Sequence, residues 1–442
     1  MCACCFPCKL ATNLQYKKYN QRCDNMAEES FNADEMTPPE WLNVQFIGQV
    51  LSDHEKDSNL KVTNLSFTPA SAKGDHYASI MFRATVEYTT QNGNCTKSLI
   101  IKTMPVEEGV KKDMFKDSPL FTTEIGMYSK VLPEWERILR TVKDPSKLYV
   151  NCIYHSLQPH QIIIFDDLVE MGYAVVRDRF LTQEEICSAY AKLAKIHAIS
   201  MKFIHEQPEY LREFKNGLCD MPGLIDSPII SGGMAPFTEL LGRIPELNKY
   251  QPYFEKISLH FKDRLRATMH EYRNHPQPGY NVLCHADYHS RNMMFKHNRE
   301  TGCLEDCMLL DYQGCNVAPM AVDLMYSIYM LMGPAQRRDE LETLLNYYLS
   351  VLQETLKKIG YQGSMPTPQG FWAEMKRHRY YEFLLLSTFL PISNGLRVHK
   401  LDLADMLHNE EARMKLYQLE DFVEETKSVL ARFEKSGYFE DL

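Results

Sequence analysis

The sequence is short of several things, and each shortage excludes a class of function. No apolar run is long enough for a membrane: the longest, Leu324–Met332 and Phe383–Leu390, fall well below the roughly 18 residues a spanning helix needs. No transmembrane segment is therefore expected. The start, Met1-Cys-Ala-Cys-Cys-Phe-Pro-Cys8, lacks the apolar stretch of a secretory signal. Positive charge is in deficit, with 49 Lys and Arg against 58 Asp and Glu and a formal charge of −9, so a nucleic-acid partner is not expected. Framework spacing is missing from the cysteines, which number 13 and are therefore odd in count. Free thiols in a reducing, cytoplasmic setting are the expectation.

What is present is an ordinary globular composition, 44% hydrophobic and 24% charged, with chain enough for two or three structural units at about 100–200 residues each. Residues 1–37 carry little apolar periodicity and read as a cysteine-rich, disordered leader. Cys2, Cys4, Cys5 and Cys8 also admit zinc binding or palmitoylation, although adjacent cysteines and Pro7 suit paired zinc knuckles poorly. Met26 is a second possible start. From about residue 38 order is expected. Ile80, Phe82, Ala84, Val86 and Tyr88 alternate with polar residues as one face of a half-buried strand. Gln91–Asn94 reads as a turn and Ser98–Lys102 as the returning strand. A helix is expected over Phe121–Leu132, stopping at Pro133, and a further strand over Ile162–Phe165.

Beyond residue 168 the pattern becomes helical. Thr182 and Glu185 have capping-box spacing ahead of Ile186, Ala189, Tyr190, Leu193, Ile196 and His197 on one helical face. Helical periodicity returns over Phe254–Tyr272, Glu340–Ile359, Gly370–Leu390 and Glu410–Phe433. The fold class expected is α+β: a small β-rich N-terminal part, 38–167, and a larger helical C-terminal part, 168–442. A cleft between two such parts is a natural ligand site.

One segment interrupts the helices. Asn281–Phe295, with His285, Asp287 and Asn292, precedes a turn-rich stretch and then Met308-Leu-Leu-Asp311. If Met293–Phe295 and Met308–Leu310 pair as a hairpin, Asn292 and Asp311 become neighbours. Two oxygen donors of this kind suit a hard cation such as Mg²⁺, which fills its shell with water and phosphate oxygens. Asp287, in the loop leading in, is placed to orient or deprotonate an attacking hydroxyl. His285 is expected to shape the loop. Hydrogen bonding of the loop alone is the plainer alternative. The arrangement as a whole is that of kinases acting on small molecules.

On that reading the N-terminal part should hold ATP. Lys102 ends the second hairpin strand, where a phosphate-holding lysine belongs, and Glu124 on the next helix is spaced to pair with it. A strand can equally end in an ordinary exposed lysine. Ala70–Ser79 would cover the phosphates, with Gly74 its only glycine and Ser79 among its small residues. The backbone of Phe165, Asp166 and Leu168 would meet the adenine edge. Asp166-Asp167 reads equally well as a solvated turn.

These residues carry a resemblance. Lys73-Gly-Asp-His-Tyr-Ala-Ser79, Ile100-Ile-Lys102, Phe121–Tyr128, Phe165-Asp-Asp-Leu168, Leu193–His197, His285-Ala-Asp287 to Asn292, Leu310–Gln313 and Val322-Asp-Leu324 resemble the insect ecdysteroid-kinase-like (CHK-kinase-like) family. That family is related to choline kinases and aminoglycoside phosphotransferases. The resemblance covers the chain from about Pro39 onward. It implies a two-lobed protein-kinase-like fold and ATP- and Mg²⁺-dependent phosphorylation of a small-molecule alcohol, ecdysteroids included. It also implies Asp287 as base, Asn292 and Asp311 as metal ligands, Lys102 and Glu124 on the phosphates, and Asp323 as a buttress of the catalytic loop. The short run from Asp311 to Asp323 leaves no room for a peptide-docking segment.

Tyr326, Tyr329, Met330, Met332, Tyr380, Tyr381 and Phe383 offer apolar surface to an acceptor, though such stripes commonly pack a core. Cys303, Cys307 and His297 lack a fourth metal ligand and read as ordinary side chains. Two rival functions remain: a non-catalytic nucleotide- or ligand-binding relative, and a choline or ethanolamine kinase, whose acceptor would require an aromatic cage. The acceptor and any protein partners are not specified by the sequence.

Overall fold

The computed structural model describes residues 37–70, 79–104, 118–217, 220, 232–275, 280–401, 406 and 409–440. The cysteine-rich leader and Gly74 lie outside the described residues.

The N-terminal lobe is built on a five-stranded antiparallel sheet in the order β1-β2-β3-β5-β4: β1 Lys61–Pro69, β2 Ile80–Thr90, β3 Gly93–Thr103, β4 Cys152–Ser156 and β5 Ile162–Asp166. The alternating run of β2 falls as its period requires, with Ile80, Phe82, Ala84, Val86 and Tyr88 all buried. The β2–β3 turn is tighter than the sequence suggests. Thr90 pairs with Gly93 around Gln91-Asn92, and Gly93 takes φ 119, a backbone region open to glycine. The returning strand therefore starts at Gly93, five residues ahead of the apolar stretch that signals it, through the polar and largely exposed segment Gly93–Lys97.

Strand β5 shows how one sheet serves two cores. Ile162 and Ile164 belong to a small core with Leu42, Ile47, Val50 and Leu51, contributed largely by helix α1 (Val44–Glu55). Ile163 and Phe165, on the opposite face, belong to the large core of the C-terminal lobe. A period of two sends alternate side chains in opposite directions, so the sheet closes its own lobe on one face and roofs the cleft on the other.

The helix expected to stop at Pro133 continues. Helix α2 (Leu120–Gly126) passes through a π-helical turn, Met127–Val131, into α3 (Leu132–Thr141). The N–H of Leu132 reaches back five residues to the Met127 carbonyl. Pro133 then sits in the first turn of α3, where its missing donor costs little. Pro391 follows the π turn Leu385–Phe389 in the same way.

In the C-terminal lobe the capping box closes as its spacing requires. Thr182 Oγ1 accepts from Glu185 N at 3.2 Å, and Glu185 Oε2 accepts from Thr182 N at 2.8 Å. It starts helix α4 (Gln183–Glu206), which packs along α6 (Leu341–Lys358). Helix α5, between them in sequence order, is Ala321–Met330. The remaining strands are β6 Tyr173–Ala174, β7 Asn281–Cys284, β8 Met293–His297, β9 Leu304–Leu309 and β10 Asn316–Pro319. Three helical patterns break into shorter helices: Phe254–Tyr272 divides around His260 and again at His270, Gly370–Leu390 divides at His378, and Glu410–Phe433 divides between Leu416 and Glu420. The fold is a two-lobed α+β arrangement. No helix among the described residues is long and apolar enough to cross a membrane.

At the junction of the lobes, Asp166 and Asp167 are not a solvated turn. The Asp167 carboxylate is buried and accepts from Arg83 Nε on β2 at 2.6 Å, Ser98 Oγ on β3 at 2.8 Å and the Val169 N–H at 3.0 Å. Asp166 accepts from Asn151 Nδ2 at 2.9 Å and pairs with Lys97 at 3.4 Å.

Two predictions follow from these contacts. Thr182→Ala removes the cap of α4 and should cost about 1 kcal/mol in urea unfolding. Burial opposes ionisation of Asp167, but Arg83 and Ser98 outweigh it and lower its pKa. A lowered carboxylate stabilises the fold above its unfolded pKa of about 4 and loses that contribution as pH falls toward the folded value. Asp167→Asn should therefore destabilise by about 2 kcal/mol near neutrality, and its deficit against wild type should shrink between pH 5 and pH 3 (roughly the carboxylate range). A deficit independent of pH would show that the charge of Asp167 is not what matters.

Candidate active site

The hairpin expected from sequence is present. Met293 of β8 pairs with Leu309 of β9, and Leu310 N donates to Asn292 O at 3.0 Å. Antiparallel pairing thus sets Asn292 and Asp311 side by side at the hairpin mouth. Asp311 takes a left-handed backbone, φ 62, as does Ala286, φ 67. For non-glycine residues such conformations are held by their surroundings.

For Ala286 the holder is Asp323, near the start of α5. Its fully buried carboxylate accepts from His285 N at 2.6 Å and Ala286 N at 2.8 Å. It also meets His197 Nε2 of α4 at 3.1 Å, while His197 Nδ1 lies 2.7 Å from the Tyr348 hydroxyl of α6. A carboxylate only accepts, so His197 donates to Asp323 through Nε2. His285 Nε2 reaches the Leu310 carbonyl at 2.8 Å, tying the loop to the hairpin.

Asp287 sits where the loop opens, its side chain 23% exposed. Oδ1 accepts from the Tyr326 hydroxyl at 2.9 Å and lies 3.4 Å from His289 Nε2. Oδ2 accepts from Asn292 Nδ2 at 3.1 Å. Burial opposes its charge, but His289, His285 and Tyr326 prevail and hold the carboxyl well below the usual carboxylate range. Asp287 is therefore held as an anion, able to accept a hydrogen bond from an approaching hydroxyl.

Lys102 comes from the other lobe. It pairs with Met81 of β2 and Ile163 of β5 in the sheet, which places it on the cleft face. Its Nζ lies 2.6 Å from Glu124 Oε2 on α2, 2.6 Å from Asp311 Oδ1 and 3.3 Å from Gln313 Oε1. Burial works against the ammonium, but Asp311 and Glu124 outweigh it and hold its pKa well above the usual lysine value. Gln313 Nε2 donates to Asp311 Oδ2 at 3.1 Å.

The donor set at the hairpin mouth fits a hard cation. The Asn292 amide nitrogen is committed to Asp287 through Oδ2 and, at 3.0 Å, the backbone carbonyl. That leaves the amide oxygen for a ligand beside the Asp311 carboxylate. A carboxylate and an amide oxygen with room for water and phosphate are what Mg²⁺ takes.

Some expected contacts take other partners. Ser79 is buried at the foot of β2. Of the backbone expected to face adenine, Asp166 N–H already bonds Asn151 O, and Leu168 C=O already bonds the N–H groups of Met171 and Tyr173. The Phe165 ring packs against Tyr128, centroids 4.8 Å apart.

The acceptor-side aromatics also divide. Tyr326 reaches Asp287, but Tyr329 bonds Glu382 and is buried, as are Met332 and Phe383. Most of that stripe is core. Cys307 is buried, Cys303 exposed, and His297 faces Glu185 at 3.3 Å, so the three do not form a site. Sequence reasoning missed His289, Gln313 and His197 as site residues and gave Tyr326 no specific part. His289 and Gln313 were signalled by lying two residues after Asp287 and Asp311. Tyr326, one helical turn after Asp323, was signalled by that spacing.

A sequence profile described as the ecdysteroid kinase-like family matches residues 73–361. No curated protein sequence matches the chain. Solved structures to which the chain is similar include the following three. The amicoumacin kinase hAmiN, with AMP-PNP, Ca²⁺ and Ami, is 13% identical at a TM-score of 0.40, over 86% of this chain and 93% of that one. An aminoglycoside phosphotransferase from Alicyclobacillus acidocaldarius is 12% identical at 0.36, over 86% and 94%. The choline kinase LicA from Streptococcus pneumoniae is 12% identical at 0.34, over 85% and 98%. With the profile spanning well over half its length, the chain belongs to the ecdysteroid kinase-like family.

Proposed function

We propose that this protein is a cytoplasmic, ATP- and Mg²⁺-dependent kinase that phosphorylates a hydroxyl of a small lipophilic alcohol, an ecdysteroid being one candidate from the family's name. The observation that carries this reading is the meeting of Lys102, Glu124 and Asp311 at one ammonium, with Asp287 and Asn292 bonded to each other beside it. The lobes divide at 167/168, and the cleft between them takes the nucleotide.

Each residue has a distinct part. Lys102, oriented by Glu124, holds the phosphates. Asn292 and Asp311 hold the metal. Bound Mg²⁺ would neutralise phosphate charge as it shifts during transfer. The acceptor oxygen bonds to the γ-phosphorus as the bond to ADP breaks, and its proton passes to Asp287. His285 and Asp323 keep the loop in place. The segment Phe165–Leu168, where the lobes join, offers its remaining backbone groups to the adenine edge.

The reading is tested with γ-labelled ATP, Mg²⁺ and an insect small-molecule extract. Label should appear on an organic product with wild type and fall by at least a hundredfold with Asp287→Asn (roughly the span of general-base effects). Equal labelling by both proteins would remove Asp287 from its role. Metal-dependent nucleotide binding without label transfer to any alcohol would favour the non-catalytic relative.

A further inference from the structure

Tyr326 makes a contact that the parts assigned so far do not account for. The two oxygens of Asp287 have different surroundings. Oδ2 takes the Asn292 amide and so faces the hairpin mouth, where the metal ligands lie. Oδ1 faces away from the Asn292 amide; it accepts the Tyr326 hydroxyl at 2.9 Å and has His289 Nε2 at 3.4 Å, beyond an ordinary hydrogen bond. A carboxylate oxygen has two lone pairs, so an acceptor hydroxyl at Oδ1 would share it with Tyr326 and lie between Tyr326 and His289.

Tyr326 is held firmly. Asp323 ties the N-terminal end of α5 to the loop that carries Asp287. Past its C-terminal end, the buried Arg337 guanidinium donates to the carbonyls of Ile328, Tyr329 and Met332 and pairs with Glu425. The Tyr326 ring is 7% exposed and meets Phe389 edge-on, centroids 5.7 Å apart. Burial and the Asp287 charge push the phenol well above its ordinary pKa, so it remains a donor. If Tyr326 served only to fill space, phenylalanine would do as well.

We infer that Tyr326 is the positioning residue of the acceptor side: its hydroxyl fixes the rotation of the Asp287 carboxylate and, by sharing Oδ1, sets where the reacting hydroxyl lies. In the transfer the acceptor's proton goes to Asp287 while Tyr326 keeps its own. The carbon bearing the reacting hydroxyl then packs near the Tyr326 ring. This inference rests on the reading of Asp287 as the base.

The test runs Tyr326→Phe beside wild type and Asp287→Asn in the label-transfer assay, using the acceptor recovered from the extract. The expected result is a fall in kcat of roughly tenfold or more, as for a hydrogen bond to a charged group. KM for ATP, Mg²⁺-dependent AMP-PNP affinity and Tm should stay at wild-type values. Unchanged transfer by Tyr326→Phe, with Asp287→Asn inactive, overturns this inference and leaves the kinase reading standing. A fall matched by lost nucleotide affinity or a lowered Tm shows a merely structural role and also overturns it. No label from wild type overturns the kinase reading, and this inference with it.

Discussion

The buried ammonium of Lys102 joins three pieces of chain that fold by different rules: a β-strand, a helix and a hairpin that lie far apart in sequence. Lys102 comes from the sheet, Glu124 from α2, and Asp311 from beyond β9. A buried charge is tolerated only when it is paired and hydrogen-bonded, and Lys102 has two carboxylates at 2.6 Å. Removing either leaves the ammonium with a single carboxylate and uncouples one of the three pieces. The lobes are therefore held in register by the groups that would also receive a nucleotide.

A second anchor works behind the loop. Asp323, with no solvent exposure, collects two backbone N–H groups and the His197 imidazole. Its contacts hold Ala286 in a left-handed conformation, and that conformation sets Asp287 at the cleft edge. His197 and Tyr348 extend the network into α4 and α6, the central helices of the lobe. The loop's geometry thus depends on packed helices well outside the cleft.

Much of this was legible in the sequence because it follows from short-range rules. The period-two run of β2, the Thr182–Glu185 cap and the pairing that makes Asn292 and Asp311 neighbours depend on local spacing alone. What was hidden depends on distant partners. Strands β1 and β4 are only partly buried, whereas α1 did carry a local signal, the Asn43 cap ahead of Ile47, Val50 and Leu51 on one face, that went unread. The helix through Pro133 survives because a π turn shifts its hydrogen bonds, which composition does not reveal. Asp167 looks like a turn residue until Arg83 and Ser98 are brought to it across the sheet. Tyr326 looked like one member of an apolar stripe, and only the fold separates its hydroxyl from the core aromatics around it.

The central claim is that Lys102, Asn292 and Asp311 form a metal-dependent nucleotide site. Calorimetric titration of AMP-PNP with and without Mg²⁺, into wild type and Asn292→Ala, tests it most directly. The account predicts binding by wild type that weakens sharply without the metal, and little metal dependence in Asn292→Ala. Nucleotide affinity that is the same with and without Mg²⁺ in wild type would contradict it.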